Sequence, residues 1–72
     1  METQTKTPIY LKENLRFLRK QRGLSQEELA NQVGLNRGNI ASYEKGTAEP
    51  KLYNLLILSR YFQLSLCDLT QL

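Results

Sequence analysis

The 72-residue sequence predicts an all-α fold of five short helices. Apolar residues recur at spacings of three and four, which is the period of an amphipathic helix. Turn-forming glycines separate these segments at short intervals, and two Ser-x-x-acid patterns indicate helix starts. A chain of this size supports one domain with a modest core. It has one cysteine and no histidine, so we expect neither an intramolecular disulfide nor a metal or other cofactor.

The domain is predicted to cover residues 10–72, after a tail at residues 1–9. A disordered tail is the favoured interpretation, and an arm that reaches a partner through Lys6 is the alternative. The tail is polar, and no later segment reaches the roughly 18 apolar residues that a membrane span needs. We therefore expect a cytoplasmic protein that does not enter a membrane.

The first helix is predicted from about Tyr10 to Arg22. Leu11, Leu15 and Leu18 recur on one face of it, and Gly23 supplies the stop. Positive charge is concentrated in this part of the chain, because six of the ten basic residues lie before residue 25 and five of them lie in this helix. The net charge of +3 favours a polyanionic partner, although only weakly.

The second helix is predicted to open with a capping box formed by Ser25 and Glu28 and to end at Gly34. Its inward side carries Leu29, Ala30 and Val33.

The third helix is predicted to begin after Asn36, a suitable N-cap, and to end at Gly46, with Ile40 and Tyr43 facing inward. A turn-rich stretch from Gly46 to Pro50 follows.

The fourth helix is predicted from about Lys51 to Gln63. Its core stripe is expected to consist of Leu52, Leu55, Leu58 and Phe62. Ser65 and Asp68 form a second candidate capping box, which opens a short fifth helix carrying Leu66 and Leu69.

Helices two and three are joined by only a few residues around Gly34, which favours a steep crossing of the kind found in a helix-turn-helix. Ala30 has the small side chain that such a close crossing requires, and Gly34 can adopt a positive φ. Four positions carry a recognisable spacing: Gln26, Ala30, Gly34 and Ile40.

The flanking sequence extends this pattern. The segment Arg19–Ser25 precedes it, Tyr43–Gly46 follows it, and Pro50, Leu55, Leu58 and Leu69 fit two further helices. With these residues the chain resembles the phage repressor and Cro family of helix-turn-helix regulators, often called the XRE family, over about residues 10–72. The resemblance implies a five-helix, lambda-repressor-like domain that binds double-stranded DNA sequence-specifically. It further implies a transcriptional regulator, with repression as the favoured role.

The resemblance also implies that a recognition helix at about residues 36–45 lies in the major groove. The residues it brings to base edges are Arg37, Gly38, Asn39 and Ser42. Side-chain chemistry agrees for two of them, because arginine pairs with guanine and asparagine with adenine. Arg37 could instead contact a phosphate or solvent, and Asn39 could be a local cap. Gly38 either lets the backbone approach DNA or lies in a first helical turn, where propensity matters little.

Four further residues are placed near the DNA backbone by the same resemblance: Gln26, Asn36, Lys45 and Lys51. Gln26 stands at the start of a helix, where free N–H groups favour an anion, although it could be an ordinary solvent-facing residue. Arg19 and Glu44 match positions that the family pairs across the first and third helices, so we expect a structural ion pair there.

One recognition helix reads few base pairs, and the family that this chain resembles commonly pairs two copies on a two-fold operator, so the resemblance implies a homodimer. The candidate dimer surface consists of Leu56, Ile57, Leu66 and Leu72. Cys67 is interpreted as a small apolar residue, with an intersubunit disulfide or redox sensing as the alternative.

The alternative function is a protein-interaction module, or an antitoxin-like partner of another protein, with the same fold. The acidic balance of residues 25–49 and the glycine at position 38 favour it. An enzyme is not expected, because the chain has no histidine, no nucleophile beside a base and no plausible carboxylate pair.

Overall fold

A computed structural model describes residues 10–71 of the chain. The described part contains five helices and no strand: α1 (Leu11–Gln21), α2 (Gln26–Val33), α3 (Arg37–Lys45), α4 (Leu52–Phe62) and α5 (Leu66–Thr70). None of these helices is both long and apolar enough to cross a membrane. The tail expected at residues 1–9, together with Leu72, lies outside the described residues.

Each helix contributes one fully enclosed apolar side chain to a shared core. These side chains are Leu15, Leu29, Ile40, Leu58 and Leu69, taken from α1 to α5 in order. Removing one such side chain from water is worth about 1.5–3 kcal/mol. Leu11, Ala30, Tyr43 and Phe62 complete the buried set. The five helices therefore surround one core, as their apolar spacing predicts.

The predicted core stripe of α4 is wrong at one position. Leu52 is 64% exposed, whereas Leu58 and Phe62 are buried and Leu55 packs against the core. At about 100° per residue, Leu52 points roughly 90° away from the mean direction of the other three. It also stands in the first turn of α4, so it adds to the exposed apolar surface of this helix.

Side-chain caps fix where α2 and α5 begin. Ser25 Oγ accepts a hydrogen bond from the Glu28 N–H at 3.0 Å, and the Ser25 N–H donates to Glu28 Oε1 at 2.8 Å, which completes the predicted capping box. At α5, Ser65 Oγ accepts from the Asp68 N–H at 3.0 Å. Between these two described residues no reciprocal bond forms, so the second predicted box is present only in half. Aspartate is one methylene shorter than the glutamate of a capping box.

The turn between α2 and α3 spans only residues 34–36. Gly34 adopts a left-handed conformation with φ of 75°, and the Leu35 N–H donates to the Ala30 carbonyl at 2.9 Å. This is the backbone pattern that ends a helix and redirects the chain sharply. Asn36 then caps α3, because its Oδ1 accepts from the Asn39 N–H at 2.8 Å. The turn packs Ile40 of α3 into the core and leaves the opposite side of α3 open.

Candidate nucleic-acid interface

The outward side of α3 carries most of the residues predicted to contact DNA bases. Arg37 and Gly38 are exposed in its first turn, and Ser42 is half-buried one turn later. Lys45 is exposed in the last turn of the helix. The exposed positions follow from the helical period, since Ile40 and Tyr43 occupy the opposite side. Helix α3 therefore offers a polar and basic surface of about two turns.

An open groove of about 420 Å³ lies beside this surface, between α1, the start of α2 and α3. Its lining residues are Arg16, Arg19, Lys20, Gln26, Arg37, Ala41, Glu44 and Lys45. The only carboxylate among them is Glu44, which is engaged by Arg19. Four lining cations remain after this pairing, and a concave surface of one charge sign focuses the electrostatic potential.

Arg16 and Lys20 are functional candidates that the sequence analysis did not assign. Both lie on α1 and both line the groove together with Arg37 and Lys45 of α3. Their spacing of four residues, away from the Leu11 and Leu15 face, shows that they share one side of α1. That spacing does not indicate that α3 packs beside them, because the packing depends on the tertiary fold.

The Arg19 and Glu44 side chains form an ion pair that joins α1 to α3. Arg19 Nε donates to Glu44 Oε2 at 2.7 Å, and Arg19 Nη2 donates to Glu44 Oε1 at 2.9 Å. Arg19 is only 8% exposed, and its Nη1 donates to the Leu24 carbonyl at 2.7 Å. The hydrogen bond to Glu44 raises the pKa of Arg19, outweighing its desolvation, so this residue stays charged at any physiological pH. The bidentate geometry fixes the angle between the two helices.

Gln26 is held against the same carboxylate. Its Nε2 donates to Glu44 Oε1 at 3.2 Å, which places the amide at the edge of the groove. Gln26 is the first residue of α2, where backbone N–H groups lack partners within the helix. The structure therefore brings together a helix N-terminus and the basic groove, an arrangement that suits a phosphate.

Asn39 lies on the side of α3 nearest to α4. Its Nδ2 donates to the Tyr43 hydroxyl at 3.3 Å, and Asn54 Nδ2 of α4 donates to the same hydroxyl at 3.0 Å. The side chain that caps α3 is that of Asn36 and not that of Asn39, so the alternative role of Asn39 as a local cap is wrong. Asn39 is oriented by a buried aromatic residue instead.

Three further residues that were predicted to contact DNA do not line the groove. Gly38 is the second residue of α3, and a Cβ on it would lie 3.3 Å from the capping Oδ1 of Asn36. Asn36 is exposed, but its side-chain oxygen is engaged in the cap. Lys51 is exposed at the start of α4 and does not line the groove.

No group of three potential metal-ligating side chains occurs in residues 10–71. Cys67 is a free thiol and is exposed on α5, so it does not pack into the core as a small apolar residue would.

Comparison with known proteins gives consistent matches. The family model described as "Helix-turn-helix" (HTH_3) matches residues 15–69. The cryptic phage CTXphi transcriptional repressor RstR of Vibrio cholerae is 38% identical over 55 residues, which is 76% of this chain and 50% of that protein. The chain likewise spans about half the length of two uncharacterised Bacillus subtilis regulators, YqaE and YobD.

Solved structures show the same architecture. The restriction-modification controller protein C.AhdI from Aeromonas hydrophila superposes with a TM-score of 0.74 at 36% identity, covering 82% of this chain and 89% of that one. The P22 c2 repressor, crystallised with a synthetic operator, superposes with a TM-score of 0.77 at 31% identity. That match covers 89% of this chain and 94% of the repressor. Both proteins share the all-helical arrangement described above.

Proposed function

The chain belongs to the helix-turn-helix family of transcriptional regulators, and we propose on this premise that it binds double-stranded DNA with α3 in the major groove. The observation that carries this proposal is the continuity of two surfaces. The exposed side of α3 adjoins the groove in which Arg16, Lys20, Arg37 and Lys45 converge. A major groove about 12 Å wide admits one α-helix, and flanking cations then meet the phosphates on its edge.

The proposed roles divide into reading and positioning. Arg37 can give paired hydrogen bonds to guanine, and Asn39 can pair with adenine, so these two residues are assigned to base recognition. Gly38 and Ser42 lie beside them on the same helix and would approach the same base edges. Gln26, Asn36, Lys45 and Lys51 are assigned to the phosphate backbone.

Arg16 and Lys20 join the phosphate-contacting set on structural grounds. They line the groove but stand on α1, which does not enter the major groove in this docking. A cation at that place neutralises a phosphate without reading sequence.

We propose further that the protein represses transcription as a homodimer. One short recognition helix reads only a few base pairs, and two copies on a two-fold operator would double that number. The name of RstR as a transcriptional repressor supports the assignment of repression.

The proposed dimer surface lies on α4 and α5. Leu56 is exposed on α4, while Ile57 and Leu66 are half-buried, and exposed Leu52 and Tyr53 extend this apolar surface. A second copy of the chain is the proposed occupant.

The experiment is selection of bound duplexes from a randomised pool at two salt concentrations, comparing the wild type with Arg37→Ala. We expect a two-fold symmetric motif from the wild type. Arg37→Ala should relax one position in each half-site, because a bidentate arginine contact discriminates bases by about 1–3 kcal/mol. Arg22→Ala, at an exposed arginine that lies outside the groove and over the Tyr61 and Phe62 rings, is the matched control and should leave the motif unchanged.

Failure of the wild type to enrich any motif at either salt concentration would overturn the proposal. It would favour a protein-interaction module with an unidentified protein partner instead. A motif without two-fold symmetry would retain DNA binding and overturn the homodimer.

A further inference from the structure

We infer that the Tyr43 hydroxyl, held by Asn54, positions the Asn39 amide for adenine and thereby sets base specificity at one operator position. The inference rests on the proposed function and adds two specificity-determining residues to it. Neither Tyr43 nor Asn54 would touch a base. Both would act through Asn39, so they are positioning residues.

The geometry begins with the burial of Tyr43. This residue is only 5% exposed, and its ring belongs to the shared core. The hydroxyl nevertheless reaches the edge of the core, where it accepts hydrogen bonds from Asn39 Nδ2 at 3.3 Å and from Asn54 Nδ2 at 3.0 Å. A ring fixed by packing holds its hydroxyl in one place, so this oxygen is a rigid acceptor on the inner side of Asn39.

Asn54 makes the arrangement directional. A phenolic oxygen has two lone pairs, and here two amide groups donate to it. The two donors come from different helices, since Asn39 belongs to α3 and Asn54 to α4. The hydroxyl therefore links the Asn39 side chain to α4 through two hydrogen bonds.

The chemistry of a primary amide completes the inference. The Asn39 Nδ2 carries two hydrogens, of which one is given to Tyr43. The other hydrogen and Oδ1 remain as an adjacent donor and acceptor. Adenine presents the matching acceptor N7 and donor N6 in the major groove. The bond to Tyr43 restricts rotation of the Asn39 side chain before DNA arrives, which lowers the ordering cost of binding.

The test measures discrimination rather than affinity alone. The probe is the duplex enriched by the wild-type protein, prepared with adenine or with 7-deazaadenine at each adenine position in turn. The analogue lacks the N7 acceptor. For the wild type we expect a binding loss of about tenfold at the position that Asn39 reads, and no such loss for Asn39→Ala.

Tyr43→Phe removes the hydroxyl and retains the buried ring. Discrimination is the ratio of the affinities for the adenine and the 7-deazaadenine duplex. We expect Tyr43→Phe to reduce this ratio at that position about threefold to fivefold when Asn39 is present. In the Asn39→Ala background it should not change the ratio. Asn54→Ala should reduce it at the same position. Tyr61→Phe, which removes a hydroxyl two turns along α4 from Asn54, is the matched control. Thermal unfolding of each variant shows that the folded state is retained.

The outcomes separate the inference from the proposed function. If the wild type enriches a motif and Asn39→Ala relaxes one position, but both Tyr43→Phe and Asn54→Ala discriminate like the wild type, only the inference is overturned. The same holds if Tyr43→Phe lowers binding equally at every position, since that result indicates a structural role. If the wild type enriches no motif, both are overturned.

Discussion

At the scale of single residues, the packing of α1 against α3 depends on the ion pair between Arg19 and Glu44. Both charges are removed from water, and each has its partner within hydrogen-bonding distance. A buried pair contributes little net free energy compared with an apolar pair, but a single unpaired charge in its place is costly. The pair therefore acts mainly by fixing how α1 meets α3.

Replacing one partner should show this asymmetry. We expect Glu44→Gln to lower the free energy of unfolding by about 3–5 kcal/mol, because it leaves the Arg19 guanidinium buried without a counter-charge. The double variant Arg19→Met with Glu44→Leu should lose less than Glu44→Gln. Urea unfolding followed by circular dichroism measures all three proteins. A loss in the double variant as large as or larger than that of Glu44→Gln would contradict this asymmetry.

Single residues were predicted from sequence to unequal degrees. Asn36 and the Ser25–Glu28 pair form the caps that their local chemistry indicates, because a cap involves residues only three apart. The hydrogen bonds of Asn39 and Asn54 to Tyr43 were not predicted. They join residues from two helices whose mutual placement is a property of the whole fold.

At the scale of helices, the connection between α1 and α5 holds the shortest element in place. Helix α5 has five residues, fewer than an isolated helix in water needs. Asn14 Nδ2 of α1 donates to the carbonyls of Leu69 and Gln71 at 2.9 and 2.7 Å, and the Tyr10 N–H donates to the Thr70 carbonyl at 2.7 Å. Helix α1 therefore supplies donors to the last carbonyl groups of α5 and fixes its C-terminal end.

Removal of this connection should release α5 before the rest of the domain. We expect Asn14→Ala to lower the free energy of unfolding by about 1–3 kcal/mol, because two carbonyls lose their donor. Amide hydrogen exchange should accelerate more in α5 than in α2 and α3. Glu13→Ala, at an exposed neighbouring position of α1, is the control and should leave α5 protected. Uniform acceleration in all five helices would contradict a local role.

Helix periodicity accounts for why the elements themselves were predictable. The predicted ends of α1 and α4 differ from the observed ends by one residue, because Tyr10, Arg22, Lys51 and Gln63 are flanking caps rather than helical residues. The error at Leu52 has a different cause. A leucine at helical spacing fits a core pattern, but only the packing of α4 decides which leucines the core covers.

At the scale of the whole molecule, the distribution of charge matters more than its total. The net charge is only +3, and acidic residues predominate between positions 25 and 49. The fold nevertheless collects Arg16, Lys20, Arg37 and Lys45 on one groove and pairs its only carboxylate with Arg19. The sequence shows the charges, whereas only the packing of α1 against α3 shows that they share a surface.

The salt dependence of DNA binding measures this surface directly. Each phosphate neutralised on duplex DNA releases counterions and adds about 0.9 to the slope of log affinity against log salt concentration. We therefore expect Lys20→Gln and Lys45→Gln each to reduce the magnitude of the slope by about 0.9, with little change in the selected motif. The control Arg22→Gln removes the same charge from the C-terminal cap of α1, outside the groove, and should reduce the slope much less. If Lys20→Gln and Arg22→Gln changed the slope equally, net charge alone would govern the affinity and the groove would not be the docking surface. A larger effect of Lys20→Gln would instead place α1 beside the phosphates, which agrees with α3 lying in the major groove next to it.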